Sequence, residues 1–397
     1  MKFAKRMDLV VASGIRFVQK KIAGKSEVIS FAAGLPDGDL FPLEEIRQLT
    51  DELLKTNGKA ALQYGMTQGN RGLLEAIAKR MYEKENVSCT PENIIITTGS
   101  QQGLGMSALA FVDEGSCVLT ESPTYLGGTN ACRPYGCHFL GVETDDDGIV
   151  IEDLEKKLAE HPEIELIYVI PNFQNPTGKA WTLERREGFM KAIEPYDLKV
   201  VEDNPYGELR FAGEPLPSLK ALDKQGKVIY LGSFSKILCP GLRVAWACAD
   251  KEIIEKMELL KQGIDLQSNE MAQMMVLSYL QHCDMDAHIQ EIREVYRHRC
   301  MLMLSELEKQ MPDYVKFTKP EGGMFVWAEL PEDMDATAML DDAISDGIAY
   351  VPGEYFYANP ETAKKNTMRL NFTVMKDDQI VEGVRRLAET IRKAHKD

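Results

Sequence analysis

The sequence predicts an α/β fold, with a large domain on a mostly parallel sheet covered by helices and a smaller α/β domain after it. Two patterns carry this expectation. From about Pro91 to Ala247, short β-branched runs end in small or polar residues and amphipathic segments follow them, the alternation that builds parallel sheets. After Pro312 a second, shorter α/β pattern begins. No low-complexity tract, long linker or internal repeat interrupts the chain, so every part is expected to belong to one compact unit.

The strand candidates of the first pattern are residues 94–97, 117–120, 166–170, 199–202, 228–231 and 244–247. Each is too short for a helix and nearly continuous in apolar residues, as strands buried on both faces are. Residues 251–307 are helical in pattern, with Ile254, Met257 and Leu260 in register and Met274, Leu277 and Leu280 following, and are expected to leave the sheet. In the second pattern, 324–327 and 368–372 read as strands and 378–393 as a closing helix.

Composition narrows the function. The 397 residues are 44% hydrophobic, enough for a large core, and at about 150 residues per domain imply two to three domains. A formal net charge of -16 disfavours nonspecific attraction to nucleic acid or an anionic membrane. A small anion needs only a local cluster of donors, so that class stays open. The eight cysteines are scattered with no C-x-x-C spacing, and the six histidines form no ligand pattern; no metal is expected. The thiols read as free and buried, which suits the reducing cytoplasm. His282 and His288, flanking Cys283, read as a solvated loop. Near the N-terminus the longest apolar stretch is 9–12, too short for a signal-peptide core, and nothing approaches a membrane span.

Ligands of such sheets bind outside the carboxyl ends of the strands, so the residues just past each run are the candidates. The first run leads into Thr98-Gly99-Ser100-Gln101-Gln102-Gly103 and a helical segment, whose backbone N–H groups and hydroxyl suit a phosphate; Gly-Ser before a helix is also plain capping. Later ends give Ser122-Pro123-Thr124-Tyr125, then Asn175-Pro176-Thr177-Gly178, then Asp203-Asn204-Pro205-Tyr206. Taken singly, Asn175 is a turn former, Asp203 a helix cap and Tyr125 a half-buried loop aromatic. The last run leads into Gly232-Ser233-Phe234-Ser235-Lys236 and on to Pro240-Gly241-Leu242-Arg243. A lysine directly after an apolar strand, among small residues, loses proton affinity on burial and becomes a nucleophilic amine.

In order and spacing, S-F-S-K followed by P-G-L-R, preceded by D-x-P-Y, N-P-T-G and T-G-S-Q-Q-G, resembles the fold-type I pyridoxal-phosphate (PLP) aminotransferases. Ile29-Ser30-Phe31-Ala32-Ala33-Gly34-Leu35-Pro36 draws the likeness toward the branch of 2-aminoadipate and kynurenine aminotransferases. The resemblance implies a seven-stranded type of sheet in a large PLP-binding domain over 46–285, with 1–45 and 286–397 forming the N-terminal segment and small domain. It implies that Lys236 carries PLP as a Schiff base and later moves the proton at the substrate carbon. Asp203 would pair with the ring nitrogen, Tyr206 and Asn175 would bond the phenolic oxygen, and Tyr125 would stack on the ring. Ser100, Gln101, Ser233, Ser235 and Arg243 would hold the phosphate, joined by Tyr64 from the second subunit of a homodimer. Arg369 would grip the substrate carboxylate as a bidentate fork, beside Gly34 on the pocket wall.

The Ser13-x-x-Arg16 spacing resembles the element by which 2-aminoadipate-type enzymes recognise a side-chain carboxylate from a movable helix. The other reading is an exposed arginine on an amphipathic helix whose Ile15 and Phe17 face the core. The expected reaction is amino-group transfer between a broad range of L-amino acids and 2-oxoglutarate, by a ping-pong course. Two alternatives stand beside it. A PLP-dependent carbon–sulfur β-lyase would share the fold, because reaction type depends on which bond at the substrate carbon is aligned. A PLP-binding regulatory domain would need a basic module to read DNA, and the aminotransferase-like pattern starting within the first 35 residues leaves no room for one.

Overall fold

The computed structural model describes residues 1–395. Its strands are Ile29–Ser30 (β1), Ile94–Thr97 (β2), Cys117–Ser122 (β3), His138–Glu143 (β4), Ile164–Val169 (β5), Lys199–Asp203 (β6), Val228–Ser233 (β7), Ala245–Cys248 (β8), Lys316–Phe317 (β9), Phe325–Glu329 (β10), Ile348–Ala349 (β11), Val351–Pro352 (β12) and Thr367–Asn371 (β13). Seven of them form one sheet in the order β2-β8-β7-β6-β5-β3-β4. All are parallel to one another except β8, which runs antiparallel to both β2 and β7. β2, Ile-Ile-Ile-Thr, is buried throughout, and so is β7; β-branched side chains of this kind pack well on a pleated surface covered on both faces.

Two differences from the sequence expectation stand out. β4 was not anticipated, because it is an edge strand, mostly half-exposed and interrupted by Gly141, so it lacks the continuous apolar run that marks its neighbours. The reversal of β8 has no sequence signal at all, since a buried strand reads the same in either direction.

A four-stranded antiparallel sheet, β12-β13-β10-β9, forms the second layer, and β1 pairs in parallel with β11. The closing helix Asp377–Ala394 buries Ile380, Val384, Leu387, Ala388 and Ile391, a helical stripe that packs on the long helix Met285–Gln310. The helical tract expected over 251–307 resolves into Lys251–Ile264, Glu270–His282 and Met285–Gln310. His288 lies buried in the last of these, edge-on to Tyr279 at 6.1 Å, rather than in a solvated loop. The pair is one helical turn either side of the Cys283 break, a periodicity hidden by the polar residues between them.

Candidate active site

Because β2, β3, β5, β6 and β7 run the same way, their carboxyl ends come together, and the reversed β8 starts at that end. A cavity of about 520 Å³ opens there. Every expected site residue lines it except Tyr64, which is 78% exposed elsewhere on the surface.

Lys236 follows β7 on a turn closed by the Ser235 amide donating to Ser233 Oγ at 3.0 Å. Its Nζ donates to the Gly34 carbonyl at 2.9 Å. Burial, with the charges of Arg369 and Arg243 adding to it, pushes this amine down to about 8. Asp203 ends β6 and is 3% exposed. Its Oδ2 accepts from the Tyr168 hydroxyl at 3.1 Å, while its Oδ1 is buried without a partner. Burial lifts the carboxyl to about 7, the hydrogen bond from Tyr168 opposing it. Tyr206, also buried, packs edge-on to Phe325 at 5.9 Å; burial lifts its hydroxyl above the ordinary tyrosine value.

Arg369 comes from the second layer, on β13, and is fully buried. Its Nη1 donates to Asn175 Oδ1 at 2.8 Å and its Nη2 to the Ala32 and Ala33 carbonyls at 3.3 and 3.4 Å. Phe325 and Phe356 lie 4.2 and 5.0 Å from the guanidinium carbon, so the cation is held between aromatic faces. Burial lowers Arg369 to about 10; it stays charged at neutral pH, and its Nε has no partner.

Across the cavity, Gly99 at φ 79° opens the helix Ser100–Phe111. A Cβ there would meet Arg243 Nη2 at 2.0 Å, so only glycine lets that guanidinium lie against the helix start. Arg243, itself left-handed at φ 55°, donates to the Pro240 carbonyl at 3.2 Å. Ser100 Oγ is buried without a partner, and Gln101 Nε2 donates to the Gly127 carbonyl at 2.9 Å. Tyr125 precedes the short helix Leu126–Cys132.

The helix Gly14–Ile22 closes the mouth, with Ser13 Oγ capping it by accepting from the Arg16 amide at 3.4 Å. Arg16 is exposed and lines the cavity. The core face of this helix differs in part from the expected one: Gly14 and Val18 are buried and Ile15 is half-buried against the core, but Phe17 is exposed, edge-on to Tyr355 at 6.4 Å. Gly14 and Phe17, three apart and so neighbours on the helix surface, both lie against Tyr355, and Phe17 stands at the solvent edge of that contact.

The sequence pattern of the family "Aminotransferase class I and II" matches residues 26–387. The chain belongs to this family. Among relatives of the aminotransferase, the aromatic-amino-acid aminotransferase 1 of Thermococcus litoralis is 44% identical, matched over 95% of this chain and 91% of its own. The 2-aminoadipate transaminase of Thermus thermophilus is 40% identical, over 98% and 96%. The crystal structure of Pyrococcus horikoshii kynurenine aminotransferase, in complex with PMP, superposes with a TM-score of 0.95 at 43% identity, covering 100% of this chain and 98% of that one. The aminotransferase is therefore a PLP-dependent transaminase with the fold-type I architecture.

Sequence reasoning missed two residues. Gln19 lines the cavity three positions after Arg16, and helical spacing from Arg16 was the available signal. Tyr168, which holds Asp203, sits inside an apolar strand and looks like core. Among the described residues, no group of three His, Cys, Asp or Glu side chains could hold a metal ion, and no helix is long and apolar enough to cross a membrane.

Proposed function

We propose that the aminotransferase converts a broad set of L-amino acids, with 2-aminoadipate, aromatic and aliphatic members, and 2-oxoglutarate into the matching 2-oxo acids and glutamate. Relatives named for aromatic amino acids, 2-aminoadipate and kynurenine support a permissive pocket. The observation that carries the reading is one cavity lined by a depressed amine, Lys236, a buried carboxylate oxygen without a partner, Asp203 Oδ1, and a buried guanidinium, Arg369. Three buried polar atoms there lack partners, Ser100 Oγ, Asp203 Oδ1 and Arg369 Nε, and each is costly until a ligand satisfies it. A phosphate, a protonated ring nitrogen and a substrate carboxylate would satisfy them in that order, so the residues fit PLP.

PLP held there would supply a carbonyl for the amino group and a ring able to delocalise the electron pair left when the substrate Cα loses its proton. Asp203 would keep the proton on the ring nitrogen through its unpartnered Oδ1. Tyr206 and Asn175 would donate to the ring's phenolic oxygen, Asn175 through an Nδ2 hydrogen, because its Oδ1 already serves Arg369. Ser100, Gln101, Ser233, Ser235 and Arg243 would hold the phosphate, and Tyr125 would lie against the ring. Lys236 takes the proton from Cα, a task suited to an amine that titrates near working pH. Arg369 orients the α-carboxylate beside Gly34, and Ser13 and Arg16 read a side-chain carboxylate.

We assign 46–285 to a PLP-binding domain and 1–45 with 286–397 to a second, an arrangement supported by the pairing of β1 with β11. A homodimer in the cytoplasm is proposed, with Tyr64 reaching the phosphate of a second copy; the exposure of Tyr64 together with Leu62 and Met66 supports it. The carbon–sulfur lyase reading is not favoured, as relatives 40% or more identical to the chain are named as an aromatic-amino-acid aminotransferase and a 2-aminoadipate transaminase. The test is a product assay over a panel of amino acids with and without 2-oxoglutarate. Glutamate should form only with the oxo acid; pyruvate and ammonia forming in its absence would replace this function by elimination.

A further inference from the structure

We propose that Tyr168 is a positioning residue: its hydroxyl occupies one oxygen of Asp203 and thereby turns the other toward the cofactor's ring nitrogen. The inference rests on the role proposed for Asp203. Tyr168 lies on β5, beside β6, and is 2% exposed. Its hydroxyl is 3.1 Å from Asp203 Oδ2, and it is the only side chain bonded to that carboxylate among the described residues. Without it the carboxylate could rotate and share its two oxygens; with it, Oδ1 alone remains. Burial holds the Tyr168 hydroxyl well above its ordinary value, so it keeps the proton that it donates to Asp203.

The chain also makes room for this ring. A Cβ on Gly128 would lie 2.2 Å from Tyr168 Cε1, far inside van der Waals contact, so any other residue would push the ring away. Gly128 stands on the helix Leu126–Cys132, next to Gly127, whose own missing Cβ would lie 2.2 Å from the Tyr125 ring. One pair of glycines thus seats two tyrosines, one on the pocket wall and one behind Asp203. A donor to a carboxylate also lowers its basicity. Tyr168 therefore keeps the shared proton on the ring nitrogen rather than on Asp203.

The experiment is Tyr168→Phe in the holoenzyme, which keeps the ring in its glycine seat and removes only the hydroxyl. The nitrogen NMR shift of an isotopically labelled cofactor ring is measured beside the rate of the half-reaction. The ring nitrogen should move toward its unprotonated shift. The half-reaction should slow roughly ten- to hundredfold, the range for one hydrogen bond to a charged group, with KM for the amino acid within about twofold. An unchanged nitrogen shift overturns the proposal whatever the rate does. Gly128→Ala, which displaces the hydroxyl without deleting it, should move the shift in the same direction and decides the matter if Tyr168→Phe does not fold. Asp203→Asn runs in parallel. If it too leaves the shift unchanged, the role of Asp203 fails; if only the Tyr168 variant does, Tyr168 alone is excluded.

Discussion

The floor and the rim of the cavity are built on opposite terms. On the floor, Asp203, Asn175, Tyr206 and Arg369 are buried and tied by hydrogen bonds to one another or to strands. Moving any of them strands polar atoms away from water, at a cost of about 1–3 kcal/mol each. On the rim, Arg16 is exposed, and its side chain makes no hydrogen bond or ion pair among the described residues. Its displacement costs little, because water replaces whatever it leaves. Fixed groups suit chemistry common to every substrate. Loosely held ones suit a choice among side chains, where an arginine must meet a carboxylate and step aside for an apolar group.

The sharpest way to break this contrast is at the floor. Lys236→Ala should lower kcat on the order of 10⁴-fold through loss of the general base, and borohydride reduction of the wild type should fix the cofactor on the peptide containing Lys236. Label on another lysine would remove the floor as the reaction centre. Next, Asp203→Ala should keep the cofactor through its phosphate contacts yet slow the half-reaction by about 10³; near-wild-type turnover would make Asp203 a mere cap. At the rim the effect should be smaller and selective. Arg16→Ala should reduce kcat/KM for glutamate or 2-aminoadipate roughly ten- to hundredfold, about 1.5–3 kcal/mol, and spare leucine and phenylalanine. Equal losses on both classes would show that Arg16 only supports the helix.

The smallest effect concerns the protein without cofactor. Asp203 titrates near 7 when folded against about 3.9 when unfolded. With the folded value raised, its stabilising contribution is whole below about pH 4 and lost as pH rises through about 7. The apoenzyme's Tm should therefore decline across that window, and Asp203→Asn should flatten the decline. Parallel melting curves for the two proteins would show that this carboxyl is not desolvated.

Much of the floor was legible because it sits where strands end. Apolar runs marked β2, β3, β5, β6 and β7, and the polar residues after them were Ser100, Tyr125, Asn175, Asp203, Tyr206 and Lys236, all lining the cavity. Arg369 was legible only through the likeness of the ordered motifs, since an arginine within a strand otherwise reads as surface. Tyr168 was hidden for the opposite reason, its hydroxyl lost in an apolar run. Phe17 was misjudged because an aromatic residue suggests burial, whereas its ring meets only the edge of Tyr355 and stays largely in solvent.

Because β8 runs back along β7, with Ser233 opposite Ala245, a single excursion of the chain delivers both the Lys236 amine and the Arg243 guanidinium to the cavity. Its length is consequently pinned from both sides. An insertion before Lys236 would swing the amine off the Gly34 carbonyl, and one between Lys236 and Arg243 would pull the left-handed residue from its seat on Gly99. A library that varies the length of 234–244 should therefore return almost no active members.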